Sequence, residues 1–200
     1  MQAPASGLPF NGAGFTVVEL LFALSLAAVI AGMSVAMGAA AADELRTAAA
    51  ARYVAGLVLG NRMDSLKRAR SVALRFEADA ADYVFQAYLD TNGNGVRTTE
   101  IRSGEDEALG PVRRLSDNFR DVHFGLRADV PDADGVRGGG TDGVRIGVAR
   151  LLVTSPDGTA TSGTLYVRGR HAQYAVRVLG ATGRTRVLKF EPGAGTWTSR

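Results

Sequence analysis

Hydrophobic and polar positions divide the chain into three stretches with different periods. From Leu20 to Ala42 there are 23 residues without a charge. As a helix rising about 1.5 Å per residue, such a run extends about 34 Å, enough to cross the hydrocarbon core of a bilayer. From Asp43 the pattern becomes amphipathic. Val54, Ala55, Val58, Leu59, Met63 and Leu66 recur at spacings of three and four, which predicts a helical stripe running to about Arg70 and docking on a sheet. Lys67, Arg68 and Arg70 suit the negative end of that helix's dipole.

After Ser71 the period falls to two. Val72-Ala73-Leu74-Arg75-Phe76 and Tyr83-Val84-Phe85-Gln86-Ala87-Tyr88-Leu89 read as strands joined by an acidic turn. Further strands are predicted at 122–127, 144–154, 164–168, 173–179 and 185–190, with a Gly/Asp loop over 131–143. The fold class that follows is α+β: a long N-terminal helix on an antiparallel sheet, without a repeat or a second core.

Composition narrows the chemistry. The chain has 200 residues, 46% of them hydrophobic and 22% charged, an ordinary globular balance rather than a disordered one. It has no cysteine, which removes disulfides, thiolate metal sites and cysteine nucleophiles. The net charge is +3, unevenly placed. Residues 162–200 hold seven basic side chains (Arg168, Arg170, Arg177, Arg184, Arg186, Lys189, Arg200) against Glu191 alone. That segment is therefore +6 and the remainder 3 − 6 = −3. A basic end suggests either an anionic partner or a solvated strand face.

Glu19 decides among readings of the apolar run. A cleaved secretory signal finds small residues at Gly38-Ala39-Ala40-Ala41-Ala42, but the run exceeds the ~7–15 residues of a signal's apolar region and no Lys or Arg precedes it. Neither that reading nor a plain anchor accounts for a carboxylate at the threshold of the membrane, where charge is costly. Gly14-Phe15-Thr16-Val17-Val18-Glu19-Leu20-Leu21 resembles the processing site of type IV prepilins and type II secretion pseudopilins. The resemblance implies cleavage after Gly14 by a prepilin peptidase and N-methylation of Phe15. It also implies that Glu19 pairs with the N-terminal amine of a neighbouring subunit during assembly, since a carboxylate in an apolar bundle needs a cation. The segment ahead of Gly14 carries no Lys or Arg, unlike most leaders of the family.

The C-terminus adds a second likeness. Ser162-Gly163-Thr164-Leu165-Tyr166-Val167, Gln173-Tyr174-Ala175-Val176-Arg177-Val178 and Gly183-Arg184-Thr185-Arg186-Val187 resemble the closing pattern of the GspH/FimT branch of minor pilins. The implied layout is a leader at 1–14, a transmembrane and assembly helix at 15–42, and a periplasmic pilin-like domain at 43–200. That domain divides into an amphipathic helix at 43–70 and a β-rich part at 71–200. The implied function is that of a minor pseudopilin, a structural subunit of a type II secretion pseudopilus held in the inner membrane until assembly. Its partners would be other minor and major pseudopilins or pilins, the prepilin peptidase, the inner-membrane assembly platform and the membrane. The alternative is a FimT/FimU-like minor pilin of a type IV pilus, serving DNA uptake or adhesion.

Four further patterns bear on chemistry. Asp90-Thr91-Asn92-Gly93-Asn94-Gly95 matches the first half of a calcium loop, with Asp90, Asn92 and Asn94 as oxygen ligands. The twelfth position, however, is Ile101, with Glu100 one place early, and Asn-Gly after an apolar strand is a hairpin signal; a bare turn without cofactor is preferred. Arg184 and Arg186 alternate on a predicted strand and so share a face, with Arg177 and Lys189 nearby. Four such cations could follow phosphates, but exposed strand arginines are common and the stripe lacks clear aromatic stacking residues, so DNA is the less favoured partner. His123 and His171 are the only histidines and lack metal-ligand spacing. Gly138-Gly139-Gly140 lacks the Lys-Ser/Thr of a phosphate loop. No enzymatic activity is expected.

Overall fold

A computed structural model describes residues 15–80 and 82–199. The chain forms two units, 1–40 and 41–200. Helix α1, Val17–Arg68, contributes to both. Within the first unit the helical side chains described are exposed, including Leu20, Leu21, Phe22, Leu24, Val29 and Ile30. An 18-residue window of α1 reaches a mean hydropathy of 2.3, so this is the one helix among the described residues long and apolar enough to span a membrane.

In the second unit the rest of α1 packs on two antiparallel sheets. The elements after it are β1 (Val72–Asp79), β2 (Asp82–Leu89), α2 (Thr98–Ser103), β3 (Glu107–Arg114), α3 (Leu115–Asn118), β4 (His123–Phe124), β5 (Val144–Arg145) and β6 (Leu151–Thr154). They are followed by β7 (Gly163–Arg168), β8 (Gln173–Leu179), β9 (Arg184–Glu191) and β10 (Thr196–Ser199). The first sheet is ordered β3-β2-β1-β6 and the second β10-β9-β8-β7-β4, with β5 also on β7.

The main core lies between α1 and the facing sides of both sheets. Val54 and Val58 of the helix meet Leu74, Phe76 and Phe85 of the first sheet and Leu165, Val167, Val176 and Val178 of the second. Phe124 joins the two sheets, edge-on to Phe76 at 5.5 Å and to Phe85 at 6.0 Å between ring centroids. Each sheet also covers its other face. Leu126, Tyr166, Phe190 and Trp197 cluster behind the second sheet and Ala73, Val96 and Leu151 behind the first, where a single core was expected.

The helical stripe is rotated from the expected one. Val54 and Val58 are buried, but Leu59, Met63 and Leu66 are 54%, 44% and 43% exposed. The buried line instead runs Thr47, Ala51, Val54, Val58, Asn61, Ser65, still at helical spacing. Small residues win these places because Ala50 and Ala51 let the helix approach the sheets closely. Polar Thr47 and Ser65 find acceptors in Asp43 O at 2.7 Å and Arg62 O at 2.9 Å.

Two strand expectations are also corrected. The predicted strand 144–154 breaks into β5 and β6, which belong to different sheets. Gly147 and Arg150 take positive φ of 48° and 49° between them, a conformation no strand continues through. The predicted strand 122–127 shrinks to β4, because Gly125 and Gly143 meet so closely that a Cβ on Gly143 would fall 2.2 Å from the Gly125 nitrogen.

Candidate functional site

The first candidate is the start of α1. Thr16 precedes the helix, and its Oγ1 accepts the backbone N–H of Glu19 at 3.2 Å, the bond a helix N-cap makes to its third residue. Thr16-x-x-Glu19 is also the sequence of a capping box, a local signal for the start of α1. The Glu19 carboxylate makes no hydrogen bond or ion pair among the described residues. Phe15 is 79% exposed and Val17 and Val18 are 76% exposed. An unpaired acid thus stands in the first turn of a helix that is apolar on every side. Gly14, the predicted cleavage position, lies outside the described residues.

The second candidate is the basic end of the chain. β8 and β9 pair with Arg177 opposite Arg186 and Leu179 opposite Arg184, so Arg177, Arg184 and Arg186 share one face. Like charges directly across a ladder repel, and here Arg177 turns to a salt bridge with Asp134. Lys189 lies on the opposite, helix-facing side of β9, 2.9 Å from Glu44 and 3.4 Å from Glu191. Its hydrogen bond to Glu44 outweighs burial and, with Glu191 adding, holds the ammonium above its ordinary pKa. Of the four cations proposed together from sequence, two are therefore neutralised inside the chain, while Arg184 and Arg186 remain exposed.

Glu44 is half of a clamp that the sequence did not reveal. It also accepts the hydroxyl proton of Tyr174 in β8. Next to it Asp43 is 2% exposed, and its carboxylate accepts backbone N–H groups from Arg170 at 2.9 Å, His171 at 2.8 Å and Ala172 at 3.0 Å. Burial alone would push this acid up, but the three N–H bonds overcome it and its pKa lies below the ordinary value. The turn between β7 and β8 is shaped for the contact: a Cβ on Gly169 would fall 2.5 Å from Asp43 Oδ1 and 2.2 Å from Thr47 Oγ1. The role of His171 is to offer its backbone N–H. His123 sits 3.2 Å from Asp82.

The third candidate is the loop after β2. Asp90 is 2% exposed, and its two oxygens accept the N–H groups of Gly93 at 2.7 Å and Gly95 at 2.9 Å, with both glycines at positive φ. Asn92 donates its amide to Glu105 at 2.8 Å and more weakly to Glu100 at 3.4 Å, and Asn94 donates to Glu100 at 2.8 Å. The three predicted ligand side chains thus close a turn on themselves, on Glu100 and on Glu105. Among the described residues no three His, Asp or Glu side chains group as a metal site.

In comparisons with known proteins, no family model, no curated protein and no solved structure matches the chain.

Proposed function

We propose that the chain is a minor pseudopilin, a non-enzymatic structural subunit that leaves the inner membrane for a type II secretion pseudopilus. The observation that carries this reading is Glu19: an acid without a partner among the described residues, in the first turn of a helix whose first half is apolar all round. Water would solvate such a helix poorly, and lipid would not pair its carboxylate. A neighbouring helix that brings its own N-terminal amine would answer both needs, with the apolar surface buried and the charge matched. The second unit supports the reading in a coarser way, being a helix packed on antiparallel sheets that would sit outside the membrane.

The rival, a DNA-binding minor pilin, needs a row of free cations. Arg177 and Lys189 are already paired with Asp134, Glu44 and Glu191, which shortens that row. Intact-mass measurement of protein extracted from membranes tests the proposal. The expected mass places the N-terminus at an N-methylated Phe15, and a start near Ala41 or Asp43 would overturn it.

A further inference from the structure

β10 pairs with β9 only over Leu188–Glu191, so among the described residues the stretch from Arg184 to Arg186 has a strand on one side alone, β8. Alternate residues of an antiparallel strand turn their N–H and C=O groups to such an open side, where they form a template for another strand. The helix borders this edge. Ala55, Gly56 and Leu59 of α1 and residues 183–186 line a groove of about 520 Å³. A Cβ placed on Gly56 would meet nothing within 4 Å, so the groove is clear above the helix.

Its charge is one-sided. Arg62 lines it from the helix, Arg184 and Arg186 line it from the edge of β9 with their side chains on the face away from the helix, and no acidic residue lines it. No ion pair or side-chain hydrogen bond engages these three guanidinium groups among the described residues, and Arg62 Nε is buried without a partner. Arg62 is held there by glycine: Gly183 has φ +59°, and a Cβ on it would fall 3.1 Å from Arg62 Nε and 2.6 Å from Gly158 O. Burying a guanidinium N–H without an acceptor is unfavourable, a cost that an incoming acceptor would remove.

We infer that this groove is a docking edge for an acidic, extended segment of a partner protein, which adds to β9 as a further strand. Arg184 and Arg186 stand two residues apart on one face, roughly 6.6 Å along the strand. Acidic side chains at alternate positions of an added strand have the same spacing and pair directly across the ladder. A nucleic acid fits less well. The row of cations along β8 and β9 is shortened by the ion pairs of Arg177 and Lys189, and no aromatic side chain lines the groove for base stacking. The inference stands whether or not the chain enters a filament.

The test uses the full chain in detergent micelles and a fluorescent peptide of about eight residues alternating Glu and Val, read by anisotropy at low salt. Saturable binding is expected, weakened about tenfold by Arg184→Ala/Arg186→Ala and similarly by raising salt to about 0.2 M. Replacing the valines by proline keeps the charge and removes backbone N–H donors, so this peptide should bind at least about tenfold more weakly. Backbone amides of residues 184–187 should exchange more slowly in the complex, a readout that does not depend on any variant. No binding at about 1 mM peptide would overturn the inference, as would equal binding of the proline peptide. Duplex DNA binding more tightly through the same arginines would overturn it in favour of a phosphate site.

Discussion

The Asp43 carboxylate accepts the backbone N–H of His171 at 2.8 Å across 128 positions of sequence. With Arg170 and Ala172 as the other two donors, one side chain of α1 fixes the turn between β7 and β8. Asp43→Asn halves the accepting capacity and removes the charge, and should cost about 2–3 kcal/mol. Thermal unfolding of the full chain in detergent should show this as a fall in Tm of roughly 5–10 °C. An unchanged Tm would mean the turn holds without the acid.

The same acid sets a pH dependence. Its folded pKa lies below the ordinary 3.8, so its contribution is fully present above that value and is lost as pH falls through the folded pKa. The wild-type chain should therefore lose stability below about pH 4 more steeply than Asp43→Asn. Parallel acid-denaturation curves for the two proteins would refute the assignment.

Glu19→Ala should leave the chain folded and membrane-inserted, because the Glu19 carboxylate makes no bond among the described residues while Thr16 Oγ1 still caps the backbone N–H at position 19. The variant should nonetheless fail to co-purify with the other subunits of its filament. Normal recovery with them would remove the assembly role.

Tyr83 donates its hydroxyl proton to Asp142 at 2.6 Å, with the Arg150 guanidinium 5.3 Å from its ring centroid. Burial and then the Asp142 bond raise its pKa to about 12. Because the folded value is raised above the usual 10, the bond's contribution is intact below pH 10 and disappears as pH rises toward 12. Ultraviolet titration should find one tyrosine ionising last, and Tyr83→Phe should abolish that step. Persistence of the late step in the variant would assign it elsewhere.

For the Asp90 loop, a turn closed by Gly93 and Gly95 predicts that neither millimolar calcium nor a chelator moves Tm. Asp90→Ala should destabilise by about 1–2 kcal/mol through loss of the two part-buried N–H bonds from Gly93 and Gly95. A calcium-dependent rise of more than about 3 °C would instead assign Asp90, Asn92 and Asn94 as ligands.

The parts legible in the sequence were those governed by local period and turn chemistry. β1, β2, β7, β8 and β9 fall within a few residues of the expected strands, since their apolar positions alternate and Gly or Asp residues bound them. β3 was invisible because Glu107–Arg114 reads as charged residues around Gly110-Pro111. It is tolerated as the edge of its sheet, where a proline removes no ladder bond that matters. The stripe of α1 was misread because the sequence weighs Leu59 and Met63 above Ala51 and Thr47, whereas close packing on two sheets selects by size. The Asp43 clamp and the Arg62 contribution to the groove were beyond reach for another reason. Each joins residues more than a hundred positions apart, and nothing in either local sequence marks its partner.

β1 lies inside its sheet, yet one of its two neighbours is made much later: Thr154 Oγ1 bonds to Val72 O across 82 positions. At roughly 5–20 residues per second of synthesis, the edge of β1 waits about 4–16 s for β6 to emerge. During that interval an apolar strand with unsatisfied backbone groups is open to neighbouring nascent chains. Crowded ribosomes on one messenger would put identical open edges close together. The late arrival of residues 151–154 therefore makes the yield of correctly folded chain sensitive to translation speed and to any factor that shields β1 in the meantime.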